Sequence, residues 1–279
     1  MVEVGLVGDP VAYSLSPTIQ KAAFAACGLD WEYQLVQVPA GRLEAAWSAL
    51  SERFYGINVT SPHKEEAARL ADRLTPSAGS CASVNTITFG RDGVLGDSTD
   101  GAGFMAALRR SVGRIPGSAV IVGTGGAARA VASALAEEGT QVVVLGRNGV
   151  AGGAISGQLS AAGRSGVEYR GHSELTLAES LQHAELLVNA TTLGGPAFPD
   201  VSPVPDRVPL DPRLIVFDLV YWPRRTPLQL RAESAGCRLV DGLDMLVEQG
   251  ALAFQAWTGL AAPLSEMRQA ARLAGEDPR

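Results

Sequence analysis

Cysteine is scarce in this sequence: three residues in 279, at Cys27, Cys81 and Cys237. An odd, scattered set makes a poor disulfide framework and lacks the close spacing of a zinc site. Histidine is equally scarce, and His63, His172 and His183 stand far apart, so no metal is expected. Positive charge is in deficit, with 23 Lys and Arg against 29 Asp and Glu and a formal net charge of -6. Nucleic-acid binding needs clustered cations to neutralise phosphates, and there is no basic run, so that partner is not expected. Uninterrupted apolar runs of membrane-spanning length are also missing. The opening Met1-Val2-Glu3-Val4 has neither the basic flank nor the apolar stretch of a signal peptide. These absences lead to the expectation of a reduced, cytoplasmic protein with a small-molecule ligand, and with no membrane partner.

What is present is ordinary for a globular chain, with 46% hydrophobic and 19% charged residues, and the length suits two domains. The first part alternates short apolar runs with helical patterns. Strands are expected at 2–7, 31–38 and 56–60, and helices at 17–26, 42–51 and 62–71. Ser16 is expected to cap the first helix, with Pro17 at its first position. Arg91-Asp92-Gly93 reads as the turn of a hairpin between 84–89 and 94–96. A helix at 101–111 leads into a connector at 113–118. Beyond it, buried strands at 119–122, 141–145, 186–189 and 214–219 have the rhythm of a doubly wound nucleotide-binding domain. The Gly/Ala/Ser-rich stretch 149–166 fits either a poor helix or a mobile surface segment, and 196–212 is too rich in proline to be regular. In the amphipathic segment 245–257, Leu246, Val247, Gly250, Phe254 and Trp257 share a face at helical spacing. With a last helix at 264–273, this segment is expected to pack back on the first domain. The fold class expected is therefore α/β: an N-terminal α/β substrate domain, 1–103 completed by 244–279, and a Rossmann-type domain at 104–243.

The strand at 119–122 runs into Gly123-Thr124-Gly125-Gly126-Ala127-Ala128, which fits G-x-G-x-x-G/A at the opening of a helix. Gly123 allows the tight turn, Gly125 lets a pyrophosphate approach the backbone, and the helix N-terminus supplies free N–H groups. An NAD-preferring site places Asp or Glu at the end of the next strand. Here Gly146-Arg147-Asn148 stands there, and a guanidinium can clamp a 2′-phosphate with two hydrogen bonds, which favours NADP. A solvated surface arginine is the plainer alternative.

On the substrate side, Lys64 follows Asn58-Val59-Thr60-Ser61-Pro62-His63, at a strand end and in the first turn of a helix. An ammonium there opposes the helix dipole. The position suits a lysine that passes a proton to or from an alcohol oxygen, although a surface pair with Glu65 or Glu66 would also explain it. Asp100 could hold that lysine or simply cap the helix after it. Asn85 could offer an amide to a ligand, and Ser14 and Ser16 their hydroxyls.

Taken in order, Gly8-Asp9-Pro10, Ser14-Leu15-Ser16-Pro17, Asn58-Val59-Thr60 with Lys64, Val84-Asn85-Thr86 and Thr99-Asp100-Gly101 resemble the shikimate dehydrogenase family. The likeness continues through Gly123–Ala128, Asn189-Ala190-Thr191, Asp218-Leu219-Val220-Tyr221, Thr226-Pro227-Leu228 and Gly242-Leu243-Asp244-Met245 with Gln249. The resemblance implies NADP-dependent, reversible reduction of 3-dehydroshikimate to shikimate in aromatic amino-acid biosynthesis. It further implies a catalytic pair of Lys64 and Asp100, and substrate contacts from Ser14, Ser16, Thr60, Asn85, Tyr221 and Gln249. The cofactor would be held by Gly123, Thr124, Gly125, Gly126, Ala127, Arg147 and Asn148, with Leu219 and Gly242 near the nicotinamide. A monomer or homodimer is implied. Quinate or aminoshikimate dehydrogenases on the same scaffold, and a non-catalytic shikimate-binding sensor, are the alternatives. The chain departs from the family pattern at Ser98 (usually Asn), Gln20 (near a common His), Gly146 and Asn148 (usually Asn and Thr) and Gly195 (commonly Met).

Overall fold

The computed structural model describes residues 1–276. The chain forms two compact units, one built from Met1–Gly103 together with the chain from Leu246 onward, the other from Phe104–Met245. The last three residues of the 244–279 stretch lie outside the described residues.

Unit 1 runs β1 (Val2–Gly8), α1 (Ser16–Ala26), β2 (Trp31–Gln37), α2 (Leu43–Arg53), β3 (Gly56–Val59), α3 (Lys64–Leu70), β4 (Arg73–Leu74), α4 (Pro76–Cys81), β5 (Thr86–Gly90), β6 (Gly93–Asp97) and the start of α5 (Asp100–Val112). The sheet order is β2-β1-β3-β5-β6-β4. β1 pairs in parallel with β2 and β3, while the β5–β6 hairpin joins β3 antiparallel. Gly93, at a φ of +102°, lets the backbone make the hairpin turn without strain.

One face of this sheet is sealed by Val7, Ile57, Val59 and Ile87 against Leu43 and Leu50 of α2. Helices from the far end of the chain complete the unit. Val247, Gly250, Phe254 and Trp257 are buried as the helical spacing predicts, and Leu246 is half-buried. Phe254 stacks on Phe24 of α1 at 5.8 Å between ring centroids. The Trp257 indole donates to the Ile87 carbonyl at 3.0 Å and lies over Gly56, where a Cβ would collide with the ring. Burying each such ring stabilises the unit by roughly 1.5–3 kcal/mol.

Unit 2 takes up the rest of α5 and continues with β7 (Ser118–Val122), α6 (Gly126–Glu137), β8 (Gln141–Gly146), α7 (Gly149–Ala161), β9 (Val167–Gly171), α8 (Glu174–Leu181), β10 (Leu186–Asn189), β11 (Ile215–Asp218), α9 (Pro227–Ser234) and β12 (Arg238–Asp241). Then comes α10 (Gly242–Thr258), which passes into unit 1, and α11 (Leu264–Glu276), which packs on α1. The order β12-β11-β10-β7-β8-β9 is wholly parallel, with apolar clusters on both faces. That is the doubly wound arrangement, whose ligands sit outside the carboxyl ends of the strands.

Three differences from the sequence reading have physical causes. Ser16 does not cap α1: Leu15 already adopts a helical conformation, so Ser16 is the first helical residue, and the Ser14 hydroxyl accepts its N–H at 3.2 Å instead. The glycine-rich stretch resolves as helix through residue 161. Asn148 caps it by accepting from Ala151 N–H at 3.1 Å, and the Tyr169 ring fills the space a Cβ on Gly152 would need. Elements β4, α4, β9, α8, α9 and β12 have no counterpart in the sequence reading. Of these, α8 and α9 are closed by capping boxes, Ser173 with Thr176 and Thr226 with Gln229. The stretch 190–214 contains no helix or strand.

Candidate active site and dinucleotide site

In unit 1 the parallel pairing of β1 and β3 brings the loops that follow them to one sheet edge, where Asp9 N–H donates to the Ser61 carbonyl at 3.0 Å. Thr60 leaves β3 with its N–H on the Val7 carbonyl at 2.8 Å, and its methyl lies where a Cβ on Gly8 would stand. Ser14 and Ser16 are buried at the start of α1, and the Ser14 hydroxyl donates to the Ser16 hydroxyl at 3.1 Å. The Ser16 hydroxyl has capacity left for another partner.

Lys64 is the first residue of α3 and Asp100 the first of α5. Lys64 Nζ lies 2.5 Å from Asp100 Oδ2, with side chains only 14% and 5% exposed. The surface pairing of Lys64 with its neighbouring glutamates is therefore replaced by a buried one with a residue 36 positions away. The carboxylate sits favourably at its own helix N-terminus and offsets the unfavourable placement of the ammonium at the other. Asp100 Oδ1 accepts from Asn85 Nδ2 at 2.9 Å, so both of its oxygens are engaged. Asn85 also donates to Gln249 Oε1 at 3.1 Å and accepts from Thr99 N–H at 2.8 Å. Four residues singled out from the sequence thus form one connected group: Lys64, Asp100, Asn85 and Gln249.

Sequence reasoning missed the layer behind them. Asn58 donates to the Asn85 carbonyl at 3.1 Å and accepts from the Tyr33 hydroxyl at 2.8 Å. Buried Asn and Thr at the carboxyl end of a sheet were the available signal. Gln20 is buried and donates to the Gly250 carbonyl at 2.8 Å, tying α1 to α10. The Cys81 thiol is buried near the pair, and burial pushes its pKa up, which keeps it protonated and inert.

In unit 2, Gly123 turns the chain at a φ of +126°, and a Cβ there would lie 2.7 Å from the Ala190 carbonyl oxygen. Gly125 caps α6 without any side chain satisfying the first N–H groups, and the space beside it is open. Thr124, Gly126 and Ala127 complete a turn whose free donors and dipole suit a pyrophosphate. Gly146 stands at the strand end where an NAD-preferring site carries an acidic residue; a Cβ there would meet the Thr124 methyl at 2.4 Å, so a side chain would require Thr124 to turn aside. Arg147 is exposed beside it. The Asn148 oxygen is taken by its cap bond, which leaves its amide N–H groups free to donate. The residues present therefore fit a dinucleotide carrying a 2′-phosphate. At the other end of the edge, Leu219 N–H donates to the Asn189 carbonyl at 3.0 Å. Gly242 packs against the same loop so closely that a Cβ would stand 2.6 Å from the Asp218 and Leu219 carbonyl oxygens. Tyr221 follows in this loop, half-buried. Among the described residues no group of His, Cys, Asp and Glu could hold a metal ion, and no helix is long and apolar enough to cross a membrane.

Fold and sites together define a two-unit α/β protein with one dinucleotide-binding unit and one unit carrying a buried lysine–aspartate pair. Residues 6–87 match the model of the shikimate dehydrogenase substrate binding domain, and 242–272 that of the shikimate 5′-dehydrogenase C-terminal domain. The shikimate dehydrogenase (NADP(+)) of Methanopyrus kandleri is 42% identical over 273 residues, covering 96% of this chain and 93% of the relative. Among solved structures, the Thermus thermophilus shikimate 5-dehydrogenase in complex with NADP(H) and shikimate superposes with a TM-score of 0.84 at 36% identity, covering 98% of this chain and 100% of that one. The quinate dehydrogenase of Corynebacterium glutamicum in complex with NAD reaches the same TM-score at 29% identity, covering 96% and 98%. The chain belongs to the shikimate dehydrogenase family.

Proposed function

We propose that this chain catalyses the reversible, NADPH-dependent reduction of 3-dehydroshikimate to shikimate. The observation that carries the reading is the buried Lys64–Asp100 contact, held from behind by Asn85 and joined to Gln249. When bound, the dihydronicotinamide supplies the hydride. Lys64 donates a proton to the oxygen of the carbonyl being reduced and takes it back from the alcohol in the reverse direction. Asp100 aims the lysine and accepts from the neighbouring ring hydroxyl. Thr60, Asn85 and Gln249 read the ring hydroxyls, while Ser14, Ser16 and Tyr221 hold the carboxylate through neutral donors. The turn at Gly123, Thr124, Gly125, Gly126 and Ala127 takes the pyrophosphate, Arg147 and Asn148 take the 2′-phosphate, and Leu219 and Gly242 border the nicotinamide. Holding the two reactants in register provides most of the rate in such a transfer. Three free cysteines fit a cytoplasmic setting.

The test is absorbance at the NADPH band with shikimate or quinate, each with NADP or NAD. Fast reduction of NADP by shikimate is expected. Preference for quinate would move the enzyme to its sister activity. Shikimate binding without any reduction would replace the enzyme with a sensor.

A further inference from the structure

The exit of β11 carries a carboxylate that neither the proton relay nor the phosphate grip uses. Asp218 ends an otherwise apolar strand, Ile215-Val216-Phe217, and is fully buried. Its Oδ1 accepts from Asn189 Nδ2 at 2.8 Å and from Val220 N–H at 3.1 Å, and its Oδ2 accepts from the Thr226 hydroxyl at 2.5 Å. Each partner holds a further segment. Asn189 donates to the Leu193 carbonyl at 3.1 Å and accepts from the Thr191 N–H at 3.0 Å, fixing the turn after β10. Thr226 caps α9 by accepting from Gln229 N–H at 3.2 Å. One carboxylate therefore ties together the turns after β10 and β11 and the start of α9.

A strand with three buried apolar residues does not need this group to stay in the sheet. Burial pushes its pKa up to about 6, so at neutral pH the ion is kept in an environment that disfavours it. In a doubly wound sheet the half that begins at the glycine-rich turn takes one mononucleotide and the other half takes the second. The segments tied by Asp218 belong to that second half, beyond β10.

We infer that Asp218 is a positioning residue, whose carboxylate fixes the Leu219–Val220 backbone and the turn from Thr191 to Gly194 as the seat of the nicotinamide half of the dinucleotide. The inference rests on the dinucleotide reading above. It predicts an effect confined to one end of the cofactor.

The experiment uses the full chain with Asp218→Asn and Thr226→Val. An amide at position 218 keeps the shape but cannot accept on both sides. Affinities for NADPH and for 2′,5′-ADP, which reaches only the adenosine half, are measured by titration calorimetry alongside thermal midpoints. Turnover is measured with NADPH and with NADPH deuterated at the transferred position. Asp218→Asn is expected to bind 2′,5′-ADP within about two-fold of wild type without a lower midpoint. NADPH affinity or kcat should fall about ten-fold or more, and the deuterium isotope effect should rise as hydride transfer becomes limiting. Thr226→Val should move NADPH affinity and turnover in the same direction. Wild-type values for NADPH affinity, kcat and isotope effect would overturn the inference. So would parallel losses of 2′,5′-ADP affinity and thermal midpoint, which would make the role structural. If the wild type fails to oxidise shikimate with NADP, the proposed reaction falls, while the two affinities still decide the place of Asp218.

Discussion

Consider the stability of Lys64→Met, Asp100→Asn and the double variant. Lys64→Met leaves a buried carboxylate with Asn85 as its remaining donor at 2.9 Å. Asp100→Asn offers one oxygen where two donors, Lys64 Nζ and Asn85 Nδ2, converge, so one donor–donor contact is forced. Removing one partner of a buried pair costs about 3–5 kcal/mol, and the residual exposure of Lys64 points to the lower end, about 3 kcal/mol for each single variant. In the double variant the new amide at position 100 can turn its oxygen to Asn85 and its N–H side to the thioether, so that protein should lie within about 1 kcal/mol of wild type. For a chain of this size about 3 kcal/mol corresponds to a drop in Tm of roughly 6–12 °C. Urea unfolding followed by tryptophan fluorescence is a suitable assay, because three of the four tryptophans, Trp31, Trp47 and Trp257, belong to unit 1, with Trp222 in unit 2. Single variants within about 1 kcal/mol of wild type, or a double variant equal to the sum of the singles, would refute the argument that these charges are desolvated and mutually dependent.

In steady-state kinetics Lys64→Ala should lower kcat by about two orders of magnitude or more while KM for shikimate stays within several-fold, and a near wild-type kcat would remove the lysine from proton transfer. Arg147→Ala should raise KM for NADPH far more than for NADH, whereas equal changes would dismiss its 2′-phosphate role. Gly123→Ala meets both a left-handed φ and the Ala190 carbonyl, so calorimetry should find NADPH affinity at least about ten-fold weaker together with a lower Tm. Asp218 has a folded pKa of about 6 against 3.8 when free, so the stability it contributes is full below pH 3.8 and is lost as pH rises through 6. Asp241 and its partner Arg224 are the charges alongside it. The unfolding free energy of Asp218→Asn should therefore climb relative to wild type between about pH 4 and pH 7.5, by at most about 3 kcal/mol, its Tm rising with it, and a flat difference would contradict the buried-ion account.

Local chemistry was the legible part. The strand, glycine turn and helix around Gly123 are written in consecutive residues, and so is the hairpin at Arg91-Asp92-Gly93. Ser14 and Ser16 were readable as hydroxyls near a helix start, but the cap register slipped by one because Leu15 enters the helical region first. The α7 helix was undecidable from propensity, since Gly152 makes room for the Tyr169 ring from another element. Lys64 and Asp100 were readable as reactive types, yet the plainer pairing with Glu65 or Glu66 competed with the true one until β3, β5 and α5 brought distant positions together. Asp218 lay in a motif that stood out, but its meaning depends on Asn189 and Thr226, which only the sheet order brings within reach.

The substrate-side unit is sewn from two segments that flank the other unit in sequence, whereas the dinucleotide unit is one uninterrupted stretch. During synthesis from the N-terminus, the inner unit has its whole sequence available first. The outer one must wait, with the α1 surface around Ile19 and Phe24 uncovered, until the ribosome delivers Phe254 and Met267. The order of completion thus inverts the order of the sequence: the segment written second is the first that can finish.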